Sequence, residues 1–114
     1  MALSQHEKDQ AELIEDVVMN EYELYKNLMA FNENYTLKRK RGTFDRKLAV
    51  KGLLTVVKRA ITFINKSRWY PHTWIFGTVN AKTKEAVARE LFRSLWEDHG
   101  LRNVRKAVKR PRKR

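Results

Sequence analysis

Apolar residues recur at helical spacing in three stretches of the chain, and polar or glycine-containing segments separate these stretches. The sequence therefore predicts an all-α fold of three main amphipathic helices, at about residues 4–32, 44–65 and 81–98. In the first stretch Ser4 is followed three residues later by Glu7, which is the capping-box pattern of a helix start. The pattern predicts no strand that could pair with another.

The remaining segments are expected to connect or end these helices. Residues 32–42 contain an asparagine pair, a run of four cations and Gly42, which predicts a linker with Thr43 as the cap of the next helix. Gly100 suits the left-handed position of a helix stop and precedes a short helical turn. We thus expect a single helical domain at 1–108 and a disordered basic tail at 109–114.

Glu21 projects onto the middle of the apolar face of the first predicted helix. A carboxylate in that position must be paired or must reach an edge, because unpaired burial is costly. Three readings remain open: Glu21 reaches solvent, it pairs with a cation such as Arg46, or it marks a groove or a dimer seam. A homodimer through the first helix is a further expectation, because that helix has more apolar face than two partner helices cover.

Length and composition narrow the class of protein. A chain of 114 residues with 42% hydrophobic residues suits one folded domain with a modest core. No apolar run approaches the roughly 20 residues of a membrane span. The polar start lacks the features of a secretory signal, and the absence of cysteine excludes disulfides and thiolate metal sites. We expect an intracellular protein.

Charge is unevenly divided along the chain. Residues 1–34 hold eight carboxylates and two lysines, whereas residues 35–114 hold 23 Lys/Arg and five carboxylates. Such an excess of cations favours a polyanionic partner, and nucleic acid is the commonest one, because neutralising phosphates releases counterions. The acidic first helix is open to a second interpretation, that it masks the basic surface until nucleic acid displaces it.

The cations form three clusters: the run before Gly42, a stripe on the second helix, and the C-terminal segment. In the second helix the stripe consists of Lys47, Lys51 and Lys58, which fall within about 40° of one another, opposite the apolar face. Solvated charge runs are the ordinary alternative to binding sites. The candidate nucleic-acid-binding residues are Lys38, Arg39, Lys40, Arg41, Lys47, Lys51, Lys58, Arg59, Lys66, Arg68, Arg102, Arg105, Lys106, Lys109, Arg110, Arg112, Lys113 and Arg114.

An aromatic connection joins the second and third helices. Trp69, Tyr70 and Trp74 are residue types that stack on unpaired bases, so they are candidate base-stacking residues. The structural alternative is that they clamp the connection as part of the core.

The sequence offers little for catalysis. The histidines His6, His72 and His99 are scattered and lack metal-ligand spacing, and no glycine-rich phosphate loop is present. Glu85 and Glu90 do not share a helix face, and each can pair with Arg89 or Arg93 at helical spacing. We therefore expect no enzyme activity, no metal, no cofactor and no small-molecule substrate.

These features predict a non-catalytic nucleic-acid-binding protein. Lysine dominates the stripe, which favours recognition of phosphate backbone and shape over base readout, on duplex RNA or DNA first and single strands second. Two alternatives remain: a protein-interaction module that uses the first helix and the aromatic connection, or a structural component of a ribonucleoprotein or virion. Residues 109–114 also match a nuclear localisation signal, which would matter in a eukaryotic or eukaryotic-virus setting.

Overall fold

The computed structural model describes residues 2–66 and 78–105, and within them it is helical and free of strands. The predicted all-α class is confirmed. The elements are α1 (Gln5–Asn20), α2 (Tyr22–Arg41), α3 (Arg46–Lys66), α4 (Ala81–Glu97) and a 3-10 turn (Leu101–Asn103). Helix α3 packs against all three other helices, α1 also contacts α2 and α4, and the 3-10 turn lies against α4 and α2.

The first predicted helix is divided in two at Glu21. This residue is extended, with φ −92° and ψ 122°. Its N–H donates to Val17 O at 2.9 Å and its carbonyl accepts from Tyr25 N at 2.9 Å, so one residue ends α1 and begins α2. An unbroken helix would carry the Glu21 carboxylate on the face that packs into the core, where burial is costly. The extended residue leaves Glu21 half-buried.

The linker predicted at 32–42 is wrong, because α2 continues through it to Arg41. Tyr35 explains the continuation: its side chain is 3% exposed, and its hydroxyl donates a 2.6 Å hydrogen bond to Ala49 O of α3. The four cations at 38–41 fall in the last turn, where positive charge suits the negative end of the helix dipole. Gly42, with φ 76°, then ends α2 in the left-handed conformation.

The other helix ends follow local sequence signals, with one correction. The capping box at Ser4 and Glu7 is present, with Glu7 N donating to Ser4 Oγ at 3.2 Å and Ser4 N to Glu7 Oε1 at 2.8 Å. Thr43 is not the cap of α3. Asp45 takes that place, because its Oδ1 accepts from Lys47 N at 2.9 Å and from Leu48 N at 3.3 Å. Gly100 adopts the predicted left-handed conformation, with φ 76°.

Glu7 also ties the start of α1 to the start of α4. Its Oε2 accepts a 2.7 Å hydrogen bond from Asn80 Nδ2, and Asn80 in turn caps α4 by accepting from Thr83 N at 2.8 Å. The hydrogen bond from Asn80, followed by those from Ser4, lowers the pKa of Glu7 to about 2. The Glu7 carboxylate that joins the two helix ends is therefore ionised at neutral pH.

The core lies between α3 and its three neighbours. Fully buried apolar side chains of α3 meet those of α1, α2 and α4, and the largest of them are Ile14, Leu28, Leu53, Ile64, Leu91, Phe92 and Leu95. Because α3 is packed on one side by every other helix, its opposite side is left to face solvent. This arrangement fixes where the lysines of α3 lie.

Candidate nucleic-acid interface

The exposed face of α3 carries a line of cations. Lys47, Lys51 and Lys58 are all exposed and lie on the side of α3 opposite the core, as the helical spacing predicts. Arg59 and Lys66 are exposed as well but lie farther round the helix, toward its C-terminal end. We call Lys47, Lys51 and Lys58 the α3 stripe. The span from Lys47 to Lys66 is about 28 Å at the rise of an α-helix.

A second basic surface forms where α2 ends and α3 begins. Lys38, Lys40 and Arg41 are exposed in the last turn of α2, and Arg46 is exposed in the first turn of α3. The chain returns to the same place after α4, because Arg39 Nε donates to the backbone oxygen of Val104 at 3.0 Å. Arg102 and Arg105 are exposed on that returning segment. We call the exposed cations of residues 38–46 and 102–105 the basic end.

Arg39 differs from its neighbours in the run, because its guanidinium is already engaged. Besides the bond to Val104, its Nη2 lies 3.5 Å from Arg102 O. The guanidinium carbon lies 4.6 Å from the ring centre of Trp96 and 5.7 Å from that of Phe44. These contacts hold residues 102–104 against α2 and so bring the start of the third predicted cluster to the first. Arg39 is half-buried, and its predicted phosphate contact stays a prediction.

The ion pairs of residues 2–66 and 78–105 include no cation of the α3 stripe or of the basic end. Lys82 approaches Glu7 at 3.7 Å, Arg89 pairs with Glu85 at 2.6 Å, and Arg93 pairs with both Glu90 and Glu97. All three cations belong to α4. Within the described residues, no lysine of the α3 stripe has a carboxylate within ion-pair distance. The positive charge of α3 is therefore uncompensated, whereas that of α4 is largely neutralised.

Two carboxylates of α1, Glu7 and Glu15, lie near α4. Glu15 is half-buried there, and burial, then the negative charge of Glu90, raise its pKa to about 7. Among the described residues, no carboxylate of α1 forms an ion pair with a predicted nucleic-acid-binding residue. The masking hypothesis thus has no contact in this structure that supports it.

A groove of about 700 Å³ runs between the exposed sides of α3 and α4. Its exposed cations are Arg46, Lys47, Lys51 and Arg89, which we call its rim, and its half-buried apolar residues are Val50 and Leu54, which we call its floor; Ala81 is exposed and Phe92 is buried. Glu85 is the one carboxylate that lines the groove, and it is paired with Arg89. We call this the α3–α4 groove.

The sequence-based site is only partly within the described residues. Arg68, Lys106, the predicted base-stacking residues Trp69, Tyr70 and Trp74, and the basic tail at 109–114 lie outside them. Conversely, Arg46 belongs to the basic end although the sequence reasoning assigned it to a possible pair with Glu21. The guanidinium carbon of Arg46 lies 5.2 Å from the ring centre of Phe92. The two residues are 46 positions apart, so the sequence alone does not reveal this contact.

Other site types find little support among residues 2–66 and 78–105. They contain no group of three or more His, Asp or Glu side chains placed to hold a metal ion. No helix in the same part of the chain combines the length and apolar character needed to cross a membrane. No family model, curated protein or solved structure that we compared with this chain gives a significant match.

Proposed function

We propose that this protein binds nucleic acid without catalysing a reaction, and that the α3 stripe and the basic end form the binding surface. The observation that carries the proposal is the uncompensated charge. Between residues 38 and 66 the chain has ten cations and one carboxylate, Asp45. That carboxylate is occupied in capping α3. A surface of this kind attracts polyanions and gains affinity by releasing their counterions.

The chemistry of the surface favours backbone recognition over base readout. The α3 stripe consists of lysines, whose ammonium groups act as point charges toward phosphate, whereas base edges are read mainly by Arg, Asn and Gln. The 28 Å between Lys47 and Lys66 corresponds to the rise of about eight base pairs of duplex. We therefore propose duplex RNA or DNA as the ligand, bound largely without sequence specificity inside the cell.

The test replaces the three stripe lysines Lys47, Lys51 and Lys58 with Glu. A matched control replaces Lys8, Lys26 and Lys84, which lie off α3, and changes the net charge by the same amount. Binding of both variants and the wild type to duplex RNA, duplex DNA and single strands is measured by fluorescence anisotropy at several salt concentrations. Circular dichroism verifies that the helices are intact.

We expect the stripe variant to lose most of its affinity and the control to keep it. The log–log salt dependence of the wild type should exceed that of the stripe variant by about 2 to 3 units, since each lost phosphate contact removes about 0.9. Equal losses in the two variants would mean that net charge alone governs binding. If the wild type shows no saturable binding at physiological salt, the proposal is wrong, and a protein-interaction role becomes the better explanation.

A further inference from the structure

Large apolar side chains are exposed at the bend between α1 and α2. Tyr22 is 72% exposed, and Met19 and Tyr25 are each 36% exposed. All three lie within four residues of Glu21, whose extended backbone turns the chain at this point. Exposed carboxylates adjoin them, with Asp16 one turn before Met19 and Glu23 directly after Tyr22, and the Lys26 ammonium lies 5.8 Å from the centre of the Tyr22 ring. We call Met19, Tyr22 and Tyr25 the elbow knob.

The α3–α4 groove has the complementary character. Val50 and Leu54 give it a half-buried apolar floor, and Arg46, Lys47 and Lys51 give it an exposed positive rim on the α3 side. A phosphate backbone uses such a rim but gains nothing from an apolar floor. The floor therefore points to an occupant that offers apolar side chains surrounded by negative charge.

We propose that the elbow knob of one copy of this protein docks into the α3–α4 groove of a second copy. The knob supplies two aromatic rings and a methionine for the floor, and the carboxylates Asp16 and Glu23 face the cationic rim. Tyrosine suits this role because it buries a large ring while its hydroxyl stays hydrogen-bonded. The uneven charge of the chain is consistent with this pairing, since the knob lies within residues 1–34, which hold eight carboxylates and two lysines.

The contact is heterologous, because the knob and the groove are different surfaces of the molecule. A docked pair still presents one free knob and one free groove, so association proceeds head to tail and does not stop at a dimer. The net charge of +12 opposes association at long range. At about 0.15 M salt the screening length is about 8 Å, so whole-molecule repulsion is weakened more than the short-range contacts of the groove.

The experiment follows molar mass against protein concentration by sedimentation velocity at about 0.15 M salt. Tyr22→Ser removes the centre of the knob, and Lys51→Glu reverses the charge of the groove rim. Both side chains are exposed, and circular dichroism and urea unfolding confirm that each variant folds. Leu37→Ser is the matched control, because Leu37 is another exposed large apolar residue, at 49% exposure, and lies outside both surfaces.

We expect the wild type and Leu37→Ser to grow in mass with concentration and each surface variant to stay monomeric. A mixture of Tyr22→Ser and Lys51→Glu should form a 1:1 pair that grows no further, because only one intact knob and one intact groove remain. A wild type that stays monomeric, a Tyr22→Ser variant that still associates, or a mixture without the pair would each overturn the inference. Nucleic-acid titration of Tyr22→Ser, which keeps the α3 stripe, reports on the proposed function separately.

Discussion

Gly52 in the interior of α3 makes room for the hydroxyl of Tyr35 on α2. A Cβ at Gly52 would lie 3.0 Å from Tyr35 Oη and 3.4 Å from Phe31 Cε1. The hydroxyl has little freedom to move away, because it is buried and donates its 2.6 Å hydrogen bond to Ala49 O. The predicted consequence is that the substitutions Gly52→Ala and Tyr35→Phe are strongly coupled.

The expected changes in the free energy of unfolding follow from one stabilising and two destabilising effects. Alanine is favoured over glycine in a helix interior by about 1 kcal/mol. Against this, the new methyl group displaces the hydroxyl, which forfeits a hydrogen bond worth about 1 kcal/mol and adds strain of similar size. Gly52→Ala alone should therefore destabilise the protein by about 1 kcal/mol net. Tyr35→Phe alone should cost about 1 kcal/mol, because it removes the same hydrogen bond.

In the Tyr35→Phe background the contact at 3.0 Å no longer exists. There Gly52→Ala should stabilise the protein by about 1 kcal/mol, since only the helix propensity remains. The coupling between the two sites is then about 2 kcal/mol, well outside the few tenths expected of independent sites. Urea unfolding of the four proteins, followed by circular dichroism, measures each free energy of unfolding. Additive effects would refute the packing of α2 on α3 at this position.

Two further predictions concern the α1–α4 contact and the C-terminal segment. Because the pKa of Glu15 is raised from 4.5 to about 7, the folded state binds more protons than the unfolded state between these values, so stability should fall as pH rises from 4.5 to 7. We place this fall in the free energy of unfolding at about 1 kcal/mol after solvent screening, and Glu15→Gln should remove most of it. Urea unfolding midpoints of the wild type and the variant at pH 5 and pH 8 measure the fall. If the two proteins show the same difference between pH 5 and pH 8, the buried position of Glu15 is contradicted. Arg39→Lys keeps the charge but loses the simultaneous contacts to Trp96 and Val104. Limited proteolysis should therefore cleave the chain after α4 several-fold faster in the variant than in the wild type. An unchanged cleavage rate would show that Arg39 does not anchor this part of the chain.

Local signals allowed much of the fold to be predicted. Ser4 and Glu7 predict their own capping box, because that motif depends only on residues three apart. The apolar face of α3 is likewise readable from spacing, and with it the exposed side that carries the α3 stripe. These features are set within one or two turns of helix, so they need no knowledge of the tertiary structure.

The remaining features depend on contacts between distant residues. The run at 38–41 has the composition of a linker, and its helical state becomes understandable only when Tyr35 docks on Ala49. The meeting of the first and third basic clusters depends on the bond from Arg39 to Val104, 65 positions apart in the chain. The bend at Glu21 likewise depends on tertiary packing, because both α1 and α2 pack on α3 and an unbroken helix would carry this carboxylate into the core.

The unpaired lysines of α3 also have a cost for the free protein. Lys47 and Lys51 lie one helical turn apart, and like charges at that spacing destabilise a helix by a few tenths of a kcal/mol. A bound polyanion relieves this repulsion, so ligand binding and thermal stability are linked through the same side chains. Substitutions that remove charge from the α3 stripe should therefore raise the stability of the free protein and lower its affinity for a polyanion. Selection for a stable fold alone would not retain these lysines.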